Sequence, residues 1–92
     1  MAQSVINDSE YCYVCGSPYT QEHHIFFGVS NRKISDRMGY VIRLCAEHHT
    51  GSTGVHHNRE FDLHLKRLGQ KHFEENHGTR EDFIRTFGRS YL

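Results

Sequence analysis

The sequence predicts one small α+β domain in which two short β-prone runs precede a helical C-terminal half. Three observations carry this. Residues 22–27 (Glu-His-His-Ile-Phe-Phe) and 40–44 (Tyr-Val-Ile-Arg-Leu) combine aromatic and β-branched residues in strand-length runs. After Val55, the residues Phe61, Leu65, Leu68 and His72 recur at spacings of four, three and four, which lays one stripe along a helix. Finally, 92 residues with 36% hydrophobic content and no Trp can bury only a modest core. Some further cross-link is therefore expected.

Taken in order, residues 1–10 are polar and aperiodic and read as a loosely held, disordered tail, leaving 11–92 as the domain. Tyr11-Cys12-Tyr13-Val14-Cys15-Gly16 reads as a metal knuckle, with Gly16 supplying the positive φ that such a turn needs past its second ligand. Ser17-Pro18 is a turn signal. The first strand, 22–27, ends at Gly28 with its histidines near the start. Residues 29–39 are polar and basic and read as an ordered surface loop. On it, Arg32, Lys33 and Arg37 either contact phosphates or are simply solvated. The second strand, 40–44, would then pair with the first as a long-looped hairpin.

Residues 50–54 (Thr-Gly-Ser-Thr-Gly) are too rich in Gly to continue a helix without cost. A helix from about Asn58 to Glu75 follows, closed by Gly78. Thr79 and Asp82 form an imperfect capping box for a second helix carrying Phe83, Ile84 and Phe87, with Tyr91 and Leu92 tucked behind. His64 and His77 read as surface residues and His72 as a hydrogen-bonded residue at the core edge. Phe26, Phe27, Tyr11 and Tyr13 read as core, with stacking on bases as the alternative.

Composition narrows the function classes. Lys plus Arg equals Asp plus Glu at 11 each, so no global field attracts nucleic acid, and any affinity must come from a local patch or a metal. No apolar run approaches a membrane span. Three cysteines cannot form a closed disulfide framework, and no secretory h-region opens the chain, so a reducing, cytoplasmic setting is expected.

Cys45 and His48 repeat the two-residue gap of Cys12 and Cys15. Two such knuckles are what a closed tetrahedral zinc site requires, so Cys12, Cys15, Cys45 and His48 are the expected ligands of a structural Zn²⁺. Nine residues are histidine, and His23, His24 and His49 remain unassigned beside that site. On a strand, His23 and His24 point to opposite faces. That geometry suits a division of labour, one imidazole holding a metal and the other taking a proton from water. The bland alternative is a pair of polar residues with no chemistry.

Cys-x-x-Cys, a His pair entering a strand, and Leu44-Cys45-x-x-His48-His49 together resemble the HNH endonuclease superfamily with its ββα-metal motif, in the form stapled by zinc. The chain looks closest to short phage-encoded HNH proteins and phage recombination nucleases, including the Lys33-x-Ser35-Asp36 segment. The stretches around Gly69, Phe73, 78–83 and 88–92 are similar as well. The resemblance spans roughly Cys12 to Leu92. It implies a DNA endonuclease or nickase with His24 as general base, and His23, His49 and His56 holding a catalytic Mg²⁺ or other divalent ion, with His57 as understudy to His56. Arg32 and Lys33 would contact DNA, and a phage or prophage origin in a bacterial cell follows. The family's middle Asn is replaced by Tyr40, so its orienting role falls to Asp36 or Asn31 or is lost. The rival expectations are a non-catalytic zinc module binding nucleic acid or a protein partner, and a purely structural phage accessory protein.

Overall fold

In the computed structural model, which describes residues 3–92, the chain runs β1 (Gln21–His24), α1 (Val29–Met38), β2 (Val41–Leu44), α2 (Ala46–His49), a 3₁₀ turn (Val55–His57), α3 (Arg59–Asn76) and α4 (Arg80–Phe87). The α+β expectation holds. β1 and β2 form a two-stranded antiparallel sheet with Gln21 opposite Leu44, Glu22 opposite Arg43, His23 opposite Ile42 and His24 opposite Val41. Both strands are shorter than the sequence suggested. Phe26 and Phe27 lie beyond β1, and Tyr40 precedes β2, although its carbonyl still accepts a hydrogen bond from Ile25.

The connection between the strands corrects the sequence reading. Residues 29–38 are a helix rather than a surface loop. Its apolar residues are few, but Ile34 and Met38, one turn apart, pack on the core. Ser35, fully buried, accepts from the Phe26 N–H at 3.1 Å and donates to the Phe26 carbonyl at 2.7 Å. A hydroxyl thus supplies the two backbone partners that the chain lacks where it leaves β1. Gly39 ends α1 in the left-handed region at φ 80, and a Cβ there would stand 2.7 Å from the Gln3 carbonyl oxygen. Val5 in turn donates its N–H to the Gly39 carbonyl. Of the expected tail, residues 3–10 contain neither helix nor strand, and Met1 and Ala2 lie outside the described residues.

Helix α3 begins where Asn58 caps it, its side chain accepting from the Phe61 N–H. The buried face is Leu65, Lys66, Gly69, Gln70 and Phe73, so the stripe sits off-centre from the expected one, with Phe61 and Leu68 at its margin. Gly69 is in that face because the Phe26 ring lies against it, 2.7 Å from where a Cβ would be. The helix ends without help from a left-handed Gly78: the Phe73 carbonyl accepts from both His77 and Gly78 N–H groups. Helix α4 has a complete capping box, Asp82 acting at the position where Glu or Gln was expected.

The core is built around the Phe26 ring. It meets Phe87 at 4.3 Å, Phe83 at 5.3 Å and Tyr40 at 5.6 Å between centroids. Tyr91 adds its ring at 5.9 Å, and its N–H donates to the buried Gln70 side chain, whereas Leu92 is exposed. His72 accepts or donates at 3.1 Å with the Tyr40 hydroxyl, as a core-edge residue should. Two aromatics are not core: Phe27 and Tyr11 are exposed, and Tyr13 packs beside Phe61 from the margin. No helix among the described residues is long and apolar enough to cross a membrane.

Candidate metal centres

Three cysteines and one histidine come together at the N-terminal knuckle and the end of β2. The ligand atoms of Cys12, Cys15, Cys45 and His48 lie within 4.8 Å of one another, close enough to hold one metal ion such as zinc. The hydrogen bond from Tyr13 N–H to the Arg43 carbonyl ties the knuckle to β2, and Cys45 then opens α2, which carries His48 one turn on. Cys15 Sγ stands 3.7 Å from Cys45 Sγ, Cys12 Sγ 3.7 Å from His48 Nδ1, and Cys45 Sγ 3.2 Å from the same nitrogen. Ligands about 2.3 Å (sulfur) and about 2.0 Å (nitrogen) from a tetrahedral ion stand roughly 3.5–3.8 Å apart, so these edges are those of a zinc tetrahedron with one compressed side. All three cysteines are free.

Electrostatics favour a cation there. Burial pushes the Cys12 thiol up, but the backbone groups of Cys45, Cys15 and Val14 outweigh it and bring the thiol down to about 6. At Cys15, a backbone hydrogen bond from Ser17 pulls down, while desolvation and the neighbouring thiols Cys12 and Cys45 push up and win. One thiolate thus forms readily and resists a second beside it. A divalent ion removes that conflict.

The second group lies on the inner face of β1. His23 is 2% exposed, and its ring stands edge-on to His49 at 5.3 Å and to His56 at 5.2 Å. The three imidazoles come from three elements, β1, α2 and the 3₁₀ turn, and their ligand atoms also lie within 4.8 Å of one another. The Gly-rich break at 51–54 brings His56 back beside His49, whereas His57, the understudy, is exposed and outside the group. Gln21, two residues before His23 and on the same face, holds His49 Nδ1 at 2.7 Å through its side-chain oxygen.

His23 Nε2 is buried with no hydrogen-bond partner. Burial, reinforced by His49 and His56, pushes its pKa down to about 3, and burial with His56 lowers that of His49. Both rings are neutral at physiological pH. A neutral imidazole whose buried nitrogen faces two others could hold a metal ion together with them.

His24 points the other way, as strand alternation demands. Its Nε2 lies 3.4 Å from Glu22 Oε1 and 3.6 Å from Asp36 Oδ1. Of the two residues considered for orienting His24, Asp36 thus stands beside its ring, whereas Asn31 donates to the Phe87 carbonyl at 3.0 Å. A cleft of about 290 Å³ is lined by Glu22, His23, His24, Phe27, Arg32, His49 and His56, so both histidines border one space. Arg32 lines it from α1, not from a loop, and Arg32 and Lys33 both line the adjoining depression beside Glu22, His24 and Asp36. A cleft of about 370 Å³ between residues 3–10 and β2 contains no Cys or His, so the chemistry belongs to the smaller one.

No protein-family model, curated protein or solved structure matches this chain. The geometry is thus the ground for any function. Sequence reasoning found the zinc ligands and the three imidazoles but passed over Glu22 and Asp36 as a pair. The i, i+2 spacing of Glu22 and His24 was a usable signal, whereas Asp36 needed the unrecognised helix α1.

Proposed function

We propose that this protein is a zinc-stapled, divalent-metal-dependent DNA endonuclease or nickase of HNH type, with a ββα-metal core. One observation carries the reading: a buried, partnerless imidazole nitrogen on His23 faces His49 and His56, while the next residue, His24, opens onto the same cleft beside Arg32.

Residue by residue, His23, His49 and His56 hold the catalytic ion. Their three imidazole nitrogens suit Mn²⁺, Co²⁺, Ni²⁺ or Zn²⁺ better than the oxygen-preferring Mg²⁺. When bound, the ion supplies positive charge against a phosphodiester oxygen and the leaving 3′-oxygen. His24 takes a proton from the attacking water, and Asp36 and Glu22, 3.6 and 3.4 Å from its Nε2, stabilise the imidazolium that results. Arg32 and Lys33 meet the backbone phosphates, so binding is salt-dependent and largely independent of sequence. Cys12, Cys15, Cys45 and His48 fix α2 and so keep His49 in range.

Plasmid nicking tests this. Supercoiled DNA is expected to be nicked only with added divalent metal, and His24→Ala to abolish nicking while retaining fold and structural zinc. DNA that is shifted on a gel and never cut, with a shift indifferent to His24→Ala, would instead favour a non-catalytic binding module. Elemental analysis of protein saturated with Zn²⁺, which suits the thiolate and imidazole donor sets, is expected to give two ions per chain, and one in His49→Ala/His56→Ala.

A further inference from the structure

The outward face of β1 carries a third group. Glu22, His24 and Asp36 bring their ligand atoms within 4.8 Å of one another. The separations from His24 Nε2, 3.4 Å and 3.6 Å, exceed an ordinary N–H···O bond of about 2.9 Å. They do match neighbouring ligands around a single ion, since donors about 2.1–2.2 Å from a four- to six-coordinate cation stand roughly 3.0–3.6 Å apart. A separate observation points the same way. The other carboxylate oxygen, Glu22 Oε2, is buried and has no hydrogen-bond partner, and a cation beside the carboxylate would meet the charge it carries.

We propose that Glu22, His24 and Asp36 form a third divalent-cation site, with a stronger preference for the oxygen-preferring ions Mg²⁺ and Mn²⁺ than the three imidazoles have. Two carboxylates and one imidazole are a harder donor set than three imidazoles, so the two faces of one strand sort cations by ligand chemistry. A consequence rests on the nuclease reading above: an ion on His24 Nε2 occupies the lone pair that would accept the proton of water. Excess hard cation then slows cutting and leaves the structural zinc in place.

Mn²⁺ alone is the probe. Zinc-loaded His49→Ala/His56→Ala protein, which lacks the three-imidazole set, is titrated with Mn²⁺ while the electron paramagnetic resonance signal of the free ion is followed. One Mn²⁺ per chain is expected, with affinity falling at least tenfold when Glu22→Gln and Asp36→Asn are added. In otherwise unmutated protein whose three imidazoles have first been filled with diamagnetic Zn²⁺, Mn²⁺ is expected to broaden the His24 ring resonances ahead of those of His72, and Asp36→Asn alone to remove that difference, which decides the matter should the multiple variants fail to fold. No Mn²⁺ uptake, or uptake indifferent to the two carboxylates, overturns the site. These readouts measure binding only. Protein that takes up Mn²⁺ as expected yet never cuts DNA would sink the nuclease reading while supporting the site. Cutting that stays undiminished with the site filled would overturn the competition.

Discussion

Ser35 shows how a single hydroxyl can govern the geometry of a site it never enters. It serves both the N–H and the carbonyl of Phe26, two residues past His24, from a fully buried position one residue before Asp36. Ser35→Ala leaves two buried backbone groups without partners, at about 1–3 kcal/mol each. Urea unfolding is expected to show a loss of about 2–6 kcal/mol for the two together, and nicking to fall further than the remaining folded fraction explains. Gly69 offers a test of packing against propensity. In an open helix, Gly→Ala gains up to about 1 kcal/mol, but here the new methyl meets the rigid Phe26 ring at 2.7 Å. Overpacking costs about 1–3 kcal/mol, so Gly69→Ala is expected to lower the unfolding midpoint. At this scale the sequence was informative about ligands because Cys-x-x-Cys spacing is itself a geometric statement. It was silent on Ser35, Gln70 and Gly69, whose burial depends on partners far along the chain.

Among the elements, α1 was hidden and α4 was plain. A helix whose buried face is Ile34, Ser35 and Met38 has too little apolar content to show a clear 3.6-residue period. Its ends are marked only by Gly28 and Gly39. Helix α4 announces itself through Thr79 and Asp82, and the structure completes the box: Thr79 Oγ1 accepts from Asp82 N–H at 3.2 Å, and Asp82 Oδ2 from Thr79 N–H at 2.9 Å. Thr79→Ala is expected to cost about 1 kcal/mol. The backbone N–H of Thr79, aided by its hydroxyl, holds the Asp82 carboxyl below the usual carboxylate range. A depressed carboxyl stabilises the fold above its unfolded value of about 3.9 and loses that effect as pH falls through the folded value. The difference in melting temperature between the unmutated protein and Asp82→Asn should therefore stay constant from pH 7 to pH 5. A gap that shrinks across that interval would contradict the capping geometry.

For the whole molecule, the core and the three-cysteine, one-histidine cluster divide the labour of holding the chain. The rings of Phe26, Phe73, Phe83 and Phe87 join α3 and α4 to the end of β1, while an ion in the cluster would reinforce the Tyr13–Arg43 hydrogen bond in tying residues 12–15 to β2 and α2. A chain of this size with so small a core depends on such a link, because metal binding at a closed site is also folding free energy. Cys45→Ser, or a strong chelator, is expected to abolish cooperative melting by circular dichroism. Unaltered melting with one zinc retained per chain would show that the cluster is no staple. The modest core and the knuckle spacing were both readable in the sequence. The junction of His49 with His56 was only suspected there, because it depends on how a Gly-rich stretch turns back.

Four residue pairs set the phase of β1 against β2, with Arg43 reaching back to the Thr20 hydroxyl and carbonyl just outside them. Because adjacent side chains on a strand face opposite ways, a slip by one position would hand His23's berth to His24 and turn Glu22 inward. On the nuclease reading proposed above, identity at this centre is assigned by pairing, not by residue type: two chemically identical imidazoles would become ligand and base only because the ladder is in step. Arg43→Ala, though distant from the cleft, should consequently blur the distinction between them, and the two histidines should exchange slowly between environments on the NMR timescale.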